Sequence, residues 1–227
     1  AQWMLSGCSV VAQWMLNAAG IKGATSYFGC VGNDEYGKQM KDKAVSDGVN
    51  VQYMVTEDAP TGTCAVLVTE DGERSLIANL AAANLFKADH LTTEASKSVI
   101  DNSSIFYITG FFLTVSCEAI DIIGKECVAK NKTLCMNLSA PFLIQFFGDQ
   151  MTAAMPYVDI MFGNETEAQT MGEKMGWGND IAAIAKGIAS LPKASGMRCR
   201  TVVITQGSTS TFVVANGVVT EDPVVPL

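Results

Sequence analysis

The chain has one histidine, no Cys-x-x-Cys and only six prolines. Lone His90, set after Lys-Ala-Asp, reads as a surface residue of a helical region, and a structural zinc site is excluded for want of ligands. No Walker loop, no Gly-x-Gly-x-x-Gly and no Gly-x-Ser-x-Gly occurs. Those gaps remove the P-loop, the dinucleotide fingerprint and the nucleophile elbow; a dinucleotide-dependent oxidoreductase is thereby disfavoured. Basic residues are scarce: 15 Lys and Arg face 23 Asp and Glu, a net charge of −8. A nucleic-acid partner is not expected, because phosphate backbones are met by a cationic surplus. No apolar run approaches the length that spans a bilayer, and Ala1-Gln2-Trp3-Met4-Leu5 lacks the basic start of a signal peptide. No membrane association is expected.

What remains is a globular composition, 48% hydrophobic and 17% charged over 227 residues. That is enough for one good core. The seven cysteines sit mostly in or beside apolar runs, as in TSYFGC and KTLCMNL. We expect buried, reduced thiols.

Short β-rich runs alternate with helical spacing. SYFGCVG (26–32), VNVQYMV (49–55), IFYITGF (105–111), TLCMNL (133–138), VDIMFGN (158–164) and TVVITQG (201–207) read as strands. KQMKDKAVSDG reads as a helix closed by Gly48. CEAIDIIGKECVAKN, LIQFFGDQMTAAM, TEAQTMGEKMG and DIAAIAKGIASL show helical periodicity. TCAVLVTEDGERSLIANL holds two runs joined by Glu70-Asp71-Gly72-Glu73, a hairpin signal. This alternation predicts an α/β domain with a parallel sheet covered on both faces. Ligands in such sheets bind at the carboxyl ends of the strands.

Those ends carry the candidates. Arg74, heading RSLIANL, is either a surface cation or one that meets an anionic ligand. By strand alternation Leu76 and Ala78 share its face. Phe111 and Phe112 follow a strand and precede a helix cap at Thr114 or Ser116; they either stack on a planar ring or pack under the sheet edge. Asn164 is a natural N-cap, with Glu165 and Glu167 in the first turn. The helix dipole explains that pair, and so would a hydrated Mg²⁺.

PTGTCAVLVTEDGERSLIANLAAAN (60–84), GFFLTVS (110–116), MNLSAPF (136–142), DIMFGNETEA (159–168) and VITQG (203–207) carry a resemblance. Over roughly Val11 to Leu227 the chain resembles the ribokinase-like family of carbohydrate and nucleoside kinases, in its adenosine-phosphorylating branch. The resemblance implies a three-layer α/β/α domain, residues 11–227, incomplete in this chain, with a small β lid around 50–80. It implies transfer of the γ-phosphoryl group of ATP to the 5′-hydroxyl of adenosine, giving AMP, with Mg²⁺ assisting. Arg74 would stabilise the transferring phosphoryl group. Cys64, Leu76 and Ala78 would wall the nucleoside, with Phe112 stacking on adenine and Phe142 nearby. Glu167, through Asn-x-x-Glu with Asn164, would organise Mg²⁺ and its waters. Asn137, Gln206 and Gly207 would contact the nucleotide. A monomer, cytoplasmic or also nuclear, is implied. Another sugar or nucleoside kinase of the family, or a non-catalytic nucleoside-binding derivative, are the alternatives.

The sequence also departs from the family. The Asp-Thr-Asn-Gly-Ala-Gly-Asp motif, whose last Asp is the family's catalytic base, is not among these residues. Neither is the early Asp that would hold the ribose hydroxyls, and only Ser6-Gly7-Cys8-Ser9 stands where a Gly-Gly-x-x-x-Asn element belongs. We therefore expect the chain as written to show negligible turnover, exposed apolar edges and poor solubility. AQWML occurs at 1–5 and again at 12–16. Eleven residues is close to three helical turns, but a duplicated or mis-joined exon, or a faulty gene model, suits an atypical segment at 1–10.

Overall fold

The computed structural model describes residues 23–70 and 74–225, Arg74 by its backbone alone. The expectations for residues 1–10 and for AQWML lie outside them. The chain divides into two units, Ala1–Asp101 and Asn102–Leu227.

In the first unit, strand β1 (Ser26–Gly32) leads into helix α1 (Glu35–Ser46) and then β2 (Asn50–Thr56), which pairs parallel to β1. Asp34 caps α1, Glu35 occupies its first turn and Lys43 its last, each placed as the helix dipole favours. Tyr27, Ala44 and Val49 form a small core closed by Val51 and Tyr53, the two tyrosine rings meeting edge to face at 5.8 Å. Strands β3 (Thr63–Val68) and β4 (Arg74–Asn79) form a separate antiparallel hairpin. Of the strands around 50–80, the one at 50–56 pairs with β1 and those within 63–79 form the hairpin. Helix α2 (Glu94–Asn102) ends the unit. His90 differs from its expected surface role. It is half-buried against the Phe86 ring, with Nε2 3.0 Å from the Gln52 carbonyl.

The second unit is built on a six-stranded sheet. It contains β5 (Ile105–Ile108), α3 (Cys117–Ala129), β6 (Thr133–Asn137), α4 (Pro141–Phe146), α5 (Gly148–Ala154), β7 (Ile160–Asn164), α6 (Glu165–Met175), α7 (Ile181–Ser190), β8 (Thr201–Thr205), β9 (Thr211–Ala215) and β10 (Val218–Asp222). The strand order is β10-β9-β8-β7-β6-β5. β5 through β8 are parallel; β9 and β10 are antiparallel, which corrects the all-parallel expectation. The cause is local. The turn at Gln206–Ser210, with Gly207 at positive φ, reverses the chain from β8 to β9, and Asn216 and Gly217, both at positive φ, reverse it again from β9 to β10.

The parallel strands are nearly continuous apolar runs, as burial on both faces requires. Leu134, Met161, Val202 and Ile204 are fully buried, and so are Leu143, Ile144, Ile184 and Ile188 from the helices. α7 packs on β8 and β9, and α3 on β6. The helical run predicted at 143–155 breaks between Phe146 and Gly148.

Arg200, at the head of β8, is 1% exposed. Its guanidinium donates to the carbonyls of Met155, Val158, Ile188, Leu191 and Pro192. Burial pushes its pKa down to about 10, so it stays charged at neutral pH. No helix among the described residues is long and apolar enough to cross a membrane.

Candidate active site

Parallel pairing brings the carboxyl ends of β5, β6, β7 and β8 to one edge, with Ile108 beside Met136, Asn137 beside Phe162, and Asn164 beside Thr205. The loops after β5 and β6 are knotted together there. Asn137 Oδ1 accepts from Gly110 N (2.8 Å) and from Ser139 Oγ (2.7 Å). Ser139 Oγ in turn accepts from Phe111 N at 3.2 Å and lies 3.1 Å from Thr109 Oγ1. A Cβ on Gly110 would collide with the Asn137 carbonyl oxygen, so only glycine lets these loops touch. Ser139 is held at φ +66°, a conformation unusual for a residue with a side chain.

The knot presents an aromatic pair. Phe111 and Phe142 meet edge to face at 5.6 Å and 77°. Phe142 is 37% exposed, and Pro141 starts its helix at a position where the missing N–H costs nothing. Of the two aromatics singled out after β5, Phe111 pairs with Phe142, while Phe112 is half-buried beside it in the chain. The helix cap that follows is Ser116, accepting from Ala119 N.

At the end of β7 the acidic cluster resolves into a capping box. Asn164 Oδ1 accepts from Glu167 N at 2.8 Å, and Glu167 Oε2 accepts from Asn164 N at 3.0 Å. Such a box satisfies two orphan donors at once. Glu167 is nonetheless 7% exposed, and its carboxyl is pushed above the usual range, first by burial and further by the neighbouring Glu165. A carboxylate penalised in this way favours a counter-cation. Among the described residues no group of three His, Cys, Asp or Glu gathers, so only a metal that keeps most of its waters fits here.

At the end of β8, Gln206 Nε2 donates to Ser210 O, and the Gln206 carbonyl accepts from Thr209. Gly207 adopts φ +58° in that turn. The Gln206 side chain thus closes its own loop.

In the first unit, the hairpin register places Cys64 opposite Ala78, Val66 opposite Leu76 and Val68 opposite Arg74. One face therefore carries Cys64, Leu76, Ala78 and the Arg74 backbone position. Leu76 is 56% exposed. The Arg74 side chain lies outside the described residues. Sequence reasoning placed Phe111 and Ser139 at strand ends but not their roles: the Phe111–Phe142 pair and the Ser139 hydroxyl that joins the two loops leave no local signal.

A mixed α/β sheet with candidate residues at the carboxyl edge of its parallel strands suits the ribokinase-like fold. Residues 9–226 match the pfkB family carbohydrate kinase model, and the chain belongs to that family. It is 50% identical over 218 residues to adenosine kinase 2 of Arabidopsis thaliana, a match covering 96% of this chain and 62% of that protein. Against the adenosine kinase of Dictyostelium discoideum it is 46% identical over 213 residues, 94% and 62% of the two chains. The crystal structure of Anopheles gambiae adenosine kinase in complex with P1,P4-di(adenosine-5) tetraphosphate superposes with a TM-score of 0.91 at 44% identity, covering 98% of this chain and 65% of that one. The chain thus spans somewhat under two thirds of the length of these relatives.

Proposed function

We propose that the protein serves phosphoryl transfer from ATP to the 5′-hydroxyl of adenosine. The observation that carries this is the Phe111–Phe142 pair held at the carboxyl edge by the Asn137–Ser139 knot, in a chain close in sequence to adenosine kinases. Purine faces cost little to desolvate and gain from aromatic contact. A sugar alone would call for polar side chains in place of Phe142, Leu76 and Ala78.

Phosphoryl transfer asks a protein chiefly to position reactants and to place cations around spreading negative charge. In this scheme the Arg74 guanidinium, always protonated, would meet the transferring group. Cys64, Leu76 and Ala78 form the apolar wall over the nucleoside and keep water from competing with the hydroxyl. Phe112 and Phe142 lie against adenine. Asn137, Asn164, Gln206 and Gly207 line the nucleotide side. Glu167, through Asn-x-x-Glu with Asn164, would hold a hydrated Mg²⁺ by way of its waters, and the ion would supply charge neutralisation at the phosphates.

The test is incubation of the polypeptide that carries these residues with γ-labelled ATP and adenosine, ribose or fructose. Label in AMP supports the proposal. Label in a sugar phosphate replaces it with a sugar kinase. Adenosine binding without transfer is what the chain as written should show, and the absence of adenosine binding overturns the proposal.

A further inference from the structure

The β3–β4 hairpin is tied down at one point. Asp34, the N-cap of α1, accepts from Gly37 N at Oδ1 (2.8 Å). A cap needs no more than that. Yet the same carboxylate also accepts from Thr61 Oγ1 at Oδ1 (2.6 Å) and from Thr61 N at Oδ2 (2.7 Å). The Thr61 hydroxyl is itself the acceptor for Gly32 N at 3.0 Å. Thr61 is 3% exposed and stands two residues before β3. The Asp34 carboxyl is held below the usual range, chiefly by the Thr61 hydroxyl.

Glycine makes this approach feasible. A Cβ on Gly32 would lie 2.6 Å from Ala59 O and 2.7 Å from Thr61 N. One on Gly37 would lie 3.0 Å from Thr61 Oγ1. The other leg of the hairpin returns to the same place. Ala82, fully buried, donates its N–H to Pro60 O at 3.0 Å, and Ala81 before it sits at φ +41°. A positive φ at alanine is strained and persists only where its surroundings impose it. Past this root the strands are open: Val66, Leu67, Val68, Leu76 and Ile77 are 49 to 66% exposed.

We infer that Asp34 and Thr61 form a clasp that sets the orientation and order of the hairpin bearing Cys64, Arg74, Leu76 and Ala78. Asp34 is then a positioning residue, acting through Thr61 and not on a substrate. The consequence for adenosine rests on the kinase proposal above; the clasp does not.

Asp34→Asn separates the two duties of the carboxylate. Asparagine is as good an N-cap as aspartate, but its NH₂ would face the Thr61 N–H, donor against donor. Thr61→Ala removes the hydroxyl without touching the cap, and Thr61→Ser restores it. Hydrogen–deuterium exchange read by mass spectrometry on the chain follows two peptides, 63–79 and 35–46. Asp34→Asn and Thr61→Ala should each speed exchange in 63–79 about tenfold, the scale of one lost charge-assisted bond. Exchange in 35–46 should not change, and Thr61→Ser should behave as the parent. Unchanged exchange in 63–79, or acceleration confined to 35–46, overturns the clasp. So does equal acceleration across both peptides in every variant, Thr61→Ser included. Faster exchange in 63–79 with unaltered adenosine affinity upholds the clasp and counts against the hairpin's part in phosphoryl transfer.

Discussion

Replacing Arg200 by leucine should cost about 2–3 kcal/mol of folding free energy, a balance of two opposed terms. Five carbonyls converge on the guanidinium. Three have another donor: Met155 O takes Val158 N, Ile188 O takes Leu191 N, and Val158 O takes Lys193 Nζ. The Leu191 and Pro192 carbonyls take theirs from Arg200. Both bonds are only part-buried, so water makes good some of the loss and the two acceptors together cost about 2–4 kcal/mol, the lower part of the range for buried groups. Removing a desolvated cation returns part of this, since isolating a charge in the interior is itself expensive. Domain stabilities are only about 5–15 kcal/mol, so the loss is large. Lysine, with three donors for five acceptors, should cost about half as much. Urea denaturation followed by far-UV circular dichroism measures both, at unchanged dependence on denaturant. A leucine variant within 1 kcal/mol of the parent would refute the reasoning and show that these carbonyls are satisfied without the arginine.

Glu167→Gln should keep the capping box, because glutamine at this position also reaches back to the cap N–H. Burial raises the Glu167 pKa in the folded chain, so its stabilising share is full below the unfolded pKa and is lost as pH rises through the folded value. The parent should therefore lose stability over that window relative to the glutamine variant, as thermal melts across pH will register; Glu167→Ala should lose about 1–2 kcal/mol throughout. Gly110→Ala should destabilise by about 1–3 kcal/mol and separate Phe111 from Phe142, visible in near-UV dichroism. Cys127 and Cys135, pushed up to about 12 and about 11 chiefly by burial, should resist iodoacetamide at pH 8 until the chain is unfolded, whereas exposed Cys199 should react at once, as peptide mass spectrometry will report.

Much of this molecule could be read from local pattern. The helices from 117, 165 and 181 announce themselves by cap residues and apolar spacing, and Ser116, Asn164 and Asp180 do cap them. The parallel strands show as apolar runs because both faces are covered. β9 and β10 were missed, although Asn216-Gly217 is a strong turn signal, because neither TFVVA nor VVTED shows the apolar–polar alternation that marks a half-buried strand. Asn137, Phe142, Asn164 and Glu167 could be placed at strand ends by counting. The Asn137–Ser139–Gly110 knot could not, since it joins residues up to 30 apart through one amide oxygen and one hydroxyl. The Asp34–Thr61 clasp, 27 residues apart, was hidden for the same reason. Long-range polar contacts leave no periodic trace.

Calorimetric titration of the chain with adenosine, and separately with ribose, puts the purine-binding claim to the most direct test. Adenosine should bind with a negative heat-capacity change from apolar burial, and at least tenfold more tightly than ribose, with Phe142→Ala removing most of that preference. Equal affinity for the two, or a preference untouched by Phe142→Ala, would contradict a nucleoside site at this edge.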